Sequence, residues 1–221
     1  MNKKTRVSPL LIVGAAFFCL FIVFTILVKT VDVTYFPTEE TTIGFSSLNL
    51  TVFQALGTND LSFEVSEVMG LLILTAPVFF AFLAFSQWVK RKSLLKIDHD
   101  LWILFATYAL TIAFYALFEI IVINYRPILV NGLIEASYPS SHTLLAIVIG
   151  GTSFLEVKNR MKWVWLKVSL MVLLSFLTVA IPMLRLLSGV HWLTDIIAGI
   201  LLGTSMLFLY QGIRSSFIKD K

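Results

Sequence analysis

The chain has 221 residues, 58% of them hydrophobic, with a mean hydropathy of +0.90 and a formal net charge of +4. That is too apolar for a soluble domain and fits a single integral membrane domain over residues 1–221. The pI near 9.2 does not signal nucleic acid, because the basic residues sit between apolar runs and report membrane orientation instead.

Ser8 to Val28 is a 21-residue stretch without a charge, long enough to cross the hydrocarbon core as a helix. It follows Lys3, Lys4 and Arg6, like the basic start of a signal peptide. No small-residue cleavage pattern follows and the apolar core is too long, so a retained first span is expected. Its Cys19 is the chain's single cysteine, a packing residue with no partner for an internal disulfide. The longest loop then runs from Lys29 to Glu67. Within it Phe45, Leu48, Val52, Phe53 and Leu56 recur at helical spacing, which fits a short helix on the membrane surface or a loop packed over the bundle. Asn49-Leu50-Thr51 matches a glycosylation acceptor, a pattern too common to carry weight.

Further spans are expected at Val68–Trp88, Leu101–Ile123 (interrupted only by Glu119), His142–Leu155, Val168–Leu184 and Ile196–Ile213. The expected fold is therefore all-α, a bundle of six transmembrane helices. Lysine and arginine set its orientation. Thirteen of them fall on one side, including Lys90 to Lys96, Lys158 to Lys162 and Arg214 to Lys221; only Lys29, Arg126 and Arg185 fall on the other, Lys167 being intramembrane. Both termini are thus expected in the cytoplasm.

Three polar islands then share the outer face: Arg126-Pro127, Pro139-Ser140-Ser141-His142, and Arg185 followed by His191 and Asp195. His191 and Asp195 lie four residues apart on one helical face, so the carboxylate is placed to accept from one imidazole nitrogen and leave the other as a nucleophile. Gly199 and Gly203 continue that face as a small-residue stripe, which points the pair into the bundle. Alone, the pair is equally an interhelical hydrogen bond. Pro139 and Ser140 suit a helix entry, whose first amides and dipole make an anion site. Ser140 is placed to donate to a phosphate oxygen and His142 to protonate a leaving group. Alone, this island reads as an ordinary capped helix. Arg126 and Arg185 offer permanently charged donor forks for phosphate, or anchor the membrane edge.

Together the islands resemble the three-part signature of the type-2 phosphatidic acid phosphatase family, which includes bacterial undecaprenyl-pyrophosphate and phosphatidylglycerophosphate phosphatases. The resemblance implies a metal-independent lipid phosphatase without cofactors. His191 would attack phosphorus and become phosphohistidine, oriented by Asp195. His142 would be the general acid and then the base, while Arg126, Ser140, Ser141 and Arg185 would hold the phosphoryl oxygens. Its partners would be a lipid phosphate substrate and the bilayer of a bacterial plasma membrane, with the site facing outward; the oligomeric state is left open. Three positions depart from the family pattern. Glu119 stands where the first motif has a lysine; ionised beside the phosphate it would oppose substrate binding, unless it turns toward Arg126 or Arg185 and orients it, or is protonated at its depth in the membrane. Ser141 replaces a glycine, and Leu184 a serine. Glu119 also motivates an alternative, a catalytically silent phospholipid-binding or lipid-moving protein.

Overall fold

The computed structural model describes residues 8–36, 41–130 and 132–217. Its helices are α1 (Pro9–Thr30), α2 (Ser46–Leu56), α3 (Asp60–Ile73), α4 (Thr75–Arg91), α5 (His99–Ile120), α6 (Ser141–Arg160), α7 (Val164–Leu187) and α8 (Leu193–Phe217), with a 3-10 turn at Leu94–Lys96. A hairpin of β1 (Thr34–Phe36) and β2 (Thr41–Ile43) precedes α2, a small departure from the all-α expectation. By length and apolarity, α1, α3 with α4 as one rod, α5, α7 and α8 can each cross a membrane. Helix α6 falls short of that measure because Glu156, Lys158 and Arg160 crowd its last turns. It is nonetheless buried on most of its surface, between α5, α7 and α8. Protein rather than lipid surrounds it, so Thr152 meets the Tyr108 hydroxyl and Glu156 meets the Tyr210 hydroxyl and two arginines.

Helix α8 is the other enclosed element. Gly199 and Gly203 meet α6 as their spacing predicts: a Cβ added at Gly199 would lie 2.9 Å from Thr143 Cβ, and one at Gly203 2.9 Å from Ile147 Cβ. This close crossing brings the first turns of α6 and α8 side by side, where the Ser140 N–H donates to the Asp195 carbonyl at 3.0 Å.

Two boundaries differ from expectation in ways that matter for the site. The second span begins at Asp60, well before Val68, because Asn59 caps it by accepting from the Ser62 N–H at 2.8 Å. The rod bends at Leu74, since Pro77 has no N–H for the Ile73 carbonyl. Glu67, expected at the end of a loop, therefore sits mid-helix on α3. The third span stops at Ile120, and residues 121–130 and 132–140 have no helix.

Helix α2 forms from the stretch with helical spacing. Its Asn49 is buried, donating through Nδ2 to the Gly44 carbonyl and to Thr194 Oγ1, both at 2.9 Å. It is a tie between the α2 cap and α8, and no glycan acceptor.

At the end of the bundle opposite the islands, Glu156 is fully buried and pairs with Arg160 Nε at 2.5 Å and Arg214 Nε at 3.2 Å. Arg160 also reaches Asp98, at 3.0 Å, and Asp100. Burial opposes the charge on Asp98, but hydrogen bonds from Arg91, Arg160 and Gln87 outweigh it and hold the carboxyl below its usual range. The network fastens α4, α5, α6 and α8 together.

Candidate active site

The chain after α5 runs out and back as a two-stranded excursion, held by the Tyr125–Ala136 and Val130–Leu133 bridges. The Arg126 N–H donates to the Glu135 carbonyl at 3.0 Å, and the Ser137 N–H to the Asn124 carbonyl at 3.0 Å. Pairing of this kind folds the first island back onto the second.

The third island turns at Gly189, whose φ of +75° suits glycine. A Cβ there would also lie 2.9 Å from the Gly57 carbonyl oxygen. This turn ends α7 just beyond Arg185 and aims His191 back across the helix end. His191 is buried, with Nδ1 3.1 Å from the Ser137 carbonyl and Nε2 3.5 Å from Arg185 Nη2. An Nδ1–H donated to that carbonyl leaves the Nε2 lone pair facing the guanidinium. Burial, reinforced by the Arg185 charge, pushes His191 down to about 4, so the imidazole is neutral near pH 7.

Asp195 behaves differently from the sequence expectation. Its carboxylate lies 3.6 Å from His191 Nδ1, beyond hydrogen-bond range. It accepts instead from the Trp192 N–H at 2.9 Å and Asn124 Nδ2 at 3.1 Å. The reason is its place in the first turn of α8, where free amides compete for it. The residue fixing the His191 tautomer is Ser137.

Ser140 is the expected helix cap, but it lines neither cavity of the site. It caps α6, fully buried, and its Oγ accepts from the Thr143 N–H at 3.4 Å and from the Thr143 hydroxyl at 3.1 Å. Ser141 is the serine that faces open space. It lies at the neck between two cavities, together with Tyr115. The larger, about 500 Å³, is lined by Glu119, Arg126, Glu135, Ser137 and His191 among others. The smaller, about 320 Å³, is mostly apolar and lined by Leu71, Leu74 and Leu145 beside Glu67, Gly70 and His142.

Each arginine has an acidic partner absent from the sequence motifs. Arg126 Nη2 pairs with Glu135 Oε2 at 3.0 Å, and buried Arg185 Nη1 with Glu67 Oε1 at 2.6 Å. Glu67 Oε1 also lies 3.5 Å from His142 Nε2. Both imidazole Nε2 atoms thus converge on the Arg185–Glu67 pair, His191 at the arginine and His142 at the glutamate. Glu119 lines the larger cavity but forms no ion pair among the described residues, so it orients neither arginine. No group of three His, Cys, Asp or Glu side chains among the described residues is arranged to hold a metal.

This arrangement sits inside a family match. The model of the PAP2 superfamily covers residues 10–217. The chain belongs to that family. Over 182 residues it is 32% identical to the bacitracin transport permease protein BcrC of Bacillus licheniformis, a match spanning 76% of this chain and 82% of that protein. Its fold is similar to that of a transmembrane PAP2-type phosphatidylglycerolphosphate phosphatase from Bacillus subtilis, with a TM-score of 0.66 over 94% of this chain and 98% of the other. That pair is 17% identical, so the likeness is one of fold. The protein is a PAP2 membrane lipid phosphatase. Three acids, Glu67, Glu119 and Glu135, stand around its two arginines.

Proposed function

We propose that the protein hydrolyses a phosphate or pyrophosphate ester of a lipid at the outer face of a bacterial plasma membrane, through a phosphohistidine on His191. Undecaprenyl pyrophosphate, phosphatidic acid and phosphatidylglycerophosphate are the candidate substrates. The observation that carries the reading is that the Arg185–Glu67 pair takes His191 Nε2 on its arginine and His142 Nε2 on its glutamate, with His191 lining the polar cavity and His142 the apolar one. In-line displacement needs a nucleophile and a leaving group on opposite faces of phosphorus. The polar lobe then holds the nucleophile and the apolar lobe takes the lipid.

In the first step the His191 Nε2 lone pair attacks phosphorus and the bond to the leaving oxygen breaks, that oxygen taking a proton from His142. In the second, water gives a proton to His142 and attacks, the N–P bond breaks, and phosphate departs. Arg126, Arg185, the Ser141 hydroxyl and the first amides of α6 hold the phosphoryl oxygens as charge spreads. Ser140 supports them as the helix cap. Asp195 anchors the first turn of α8 and places negative charge near the imidazole.

In this reading α6 is the sixth span, packed between α5, α7 and α8, and the termini are cytoplasmic. The purified protein should release phosphate from at least one lipid phosphate, and His191→Ala should release none. Vanadate, which mimics five-coordinate phosphorus, should bond to His191 Nε2. Vanadate bonded to another residue would overturn the nucleophile assignment.

A further inference from the structure

Helix α3 lies outside all three polar islands, yet one of its faces is given to them. Phe63, Ser66, Glu67 and Gly70 follow helical spacing. The Arg185 guanidinium carbon stands 5.2 Å over the Phe63 ring, and Nη1 donates to Ser66 Oγ at 3.4 Å and to Glu67 Oε1 at 2.6 Å. One turn along, Gly70 leaves the space that the His142 ring fills. A Cβ added there would lie 2.9 Å from His142 Cδ2 and 3.2 Å from Nε2. The imidazole thus sits over a missing side chain, with the Glu67 carboxylate 3.5 Å from its Nε2.

We propose that Glu67 is a positioning residue for the proton-carrying step, and that Gly70 completes its seat. This rests on His142 serving as the acid. The titratable and charged groups facing His142 are Glu67 on α3, Tyr115 on α5, Arg126 after α5, Arg185 on α7 and His191 before α8. Glu67 is the anion among them, so it is the group that favours a proton on the ring. In the free protein that carboxylate is shared between Arg185 and His142. A phosphoryl group arriving at Arg185 competes for the guanidinium donors and leaves Glu67 to His142. As the P–O bond breaks, the electron pair goes to the leaving oxygen, which takes the Nε2 proton; Glu67 itself is unchanged.

The test compares leaving groups. Two esters with the same lipid tail are used, one releasing an alcohol and one releasing a nitrophenolate, which needs no proton. Glu67→Gln should lower kcat on the alkyl ester by about 10–100-fold and change it on the nitrophenyl ester by no more than about threefold. Losing the carboxylate lowers the affinity of His142 for its proton, so the alkaline limb of the alkyl-ester pH profile should move to lower pH. Gly70→Ala, with Glu67 intact, should crowd the ring and give the same selective loss, and it carries the comparison if Glu67→Gln does not fold. Glu67→Asp should recover part of the rate. Equal slowing of both esters, or no slowing of either, overturns the role of Glu67 while the phosphatase reading stands. No release from either ester by the parent protein overturns that reading, and this inference with it.

Discussion

Arg185 is held by three kinds of contact at once: a carboxylate at 2.6 Å, the face of Phe63, and the imidazole of His191 at 3.5 Å. A buried guanidinium keeps its charge only where such partners replace water. At this scale the polar islands were legible because their chemistry needs fixed residue types at fixed spacings. The acids that complete the site were not. Glu67 lies 118 residues from Arg185 in sequence, and no local pattern links them. The tautomer-fixing group is the Ser137 carbonyl, which every residue possesses and no motif can record. Glu119 was legible as a departure but not as to its role, because both arginines had already found other carboxylates. Since it pairs with neither and faces the phosphate cavity, Glu119→Gln should leave kcat/KM unchanged or raise it; a clear loss of activity would show the carboxylate organising the site. His191 titrates near 4 against an ordinary 6.5. Between those values the unfolded chain binds the additional proton, so this group's contribution to stability rises with pH across that window and is complete above it. Nitrogen NMR of labelled histidine, assigned with His191→Gln, should show a neutral ring from pH 7 down to about pH 5.

Among the elements, α6 shows how little mean apolarity says about a helix inside a bundle. Its sequence marks a short span, His142 to Leu155, because the last turns carry charge. The structure continues it to Arg160, where Glu156 and Arg160 join Arg214 and the two aspartates of the α4–α5 connection and α5. The burial of Glu156 makes this network sensitive to its removal. Glu156→Ala leaves Arg160 and Arg214 short of a partner, and should cost about 3–5 kcal/mol, read as a lower unfolding midpoint in denaturing detergent. Glu156 Oε1 also accepts from the Tyr210 hydroxyl at 2.5 Å, and Glu156→Gln, which keeps the shape and that acceptor, should cost less. The crossing at Gly199 and Gly203 was readable from spacing alone, whereas the spacing in α2 fitted a helix and a packed loop equally. The hairpin before α2 was not readable, since its strands are three residues each and pair only with one another. The early start of α3 had one signal, a capping Asn59 ahead of an apolar run.

For the molecule as a whole, the proposed orientation separates its two ends. The end carrying α2 and the islands faces outward, and the end carrying the Glu156 network faces the cytoplasm. With Cys19 replaced by Ala, a cysteine at exposed Ser47 should react in intact cells with a membrane-impermeant maleimide. A cysteine at Leu95, 91% exposed at the opposite end, should react only after the cells are opened. The reverse pattern would invert the topology.

The neck formed by Tyr115 and Ser141 has one more consequence, for traffic rather than chemistry. A wet chamber on one side and an oily one on the other give the two products separate doors. In the proposed reaction the greasy product would slide back among its neighbours first, and the phosphate that water later frees from His191 would drain through the wet side.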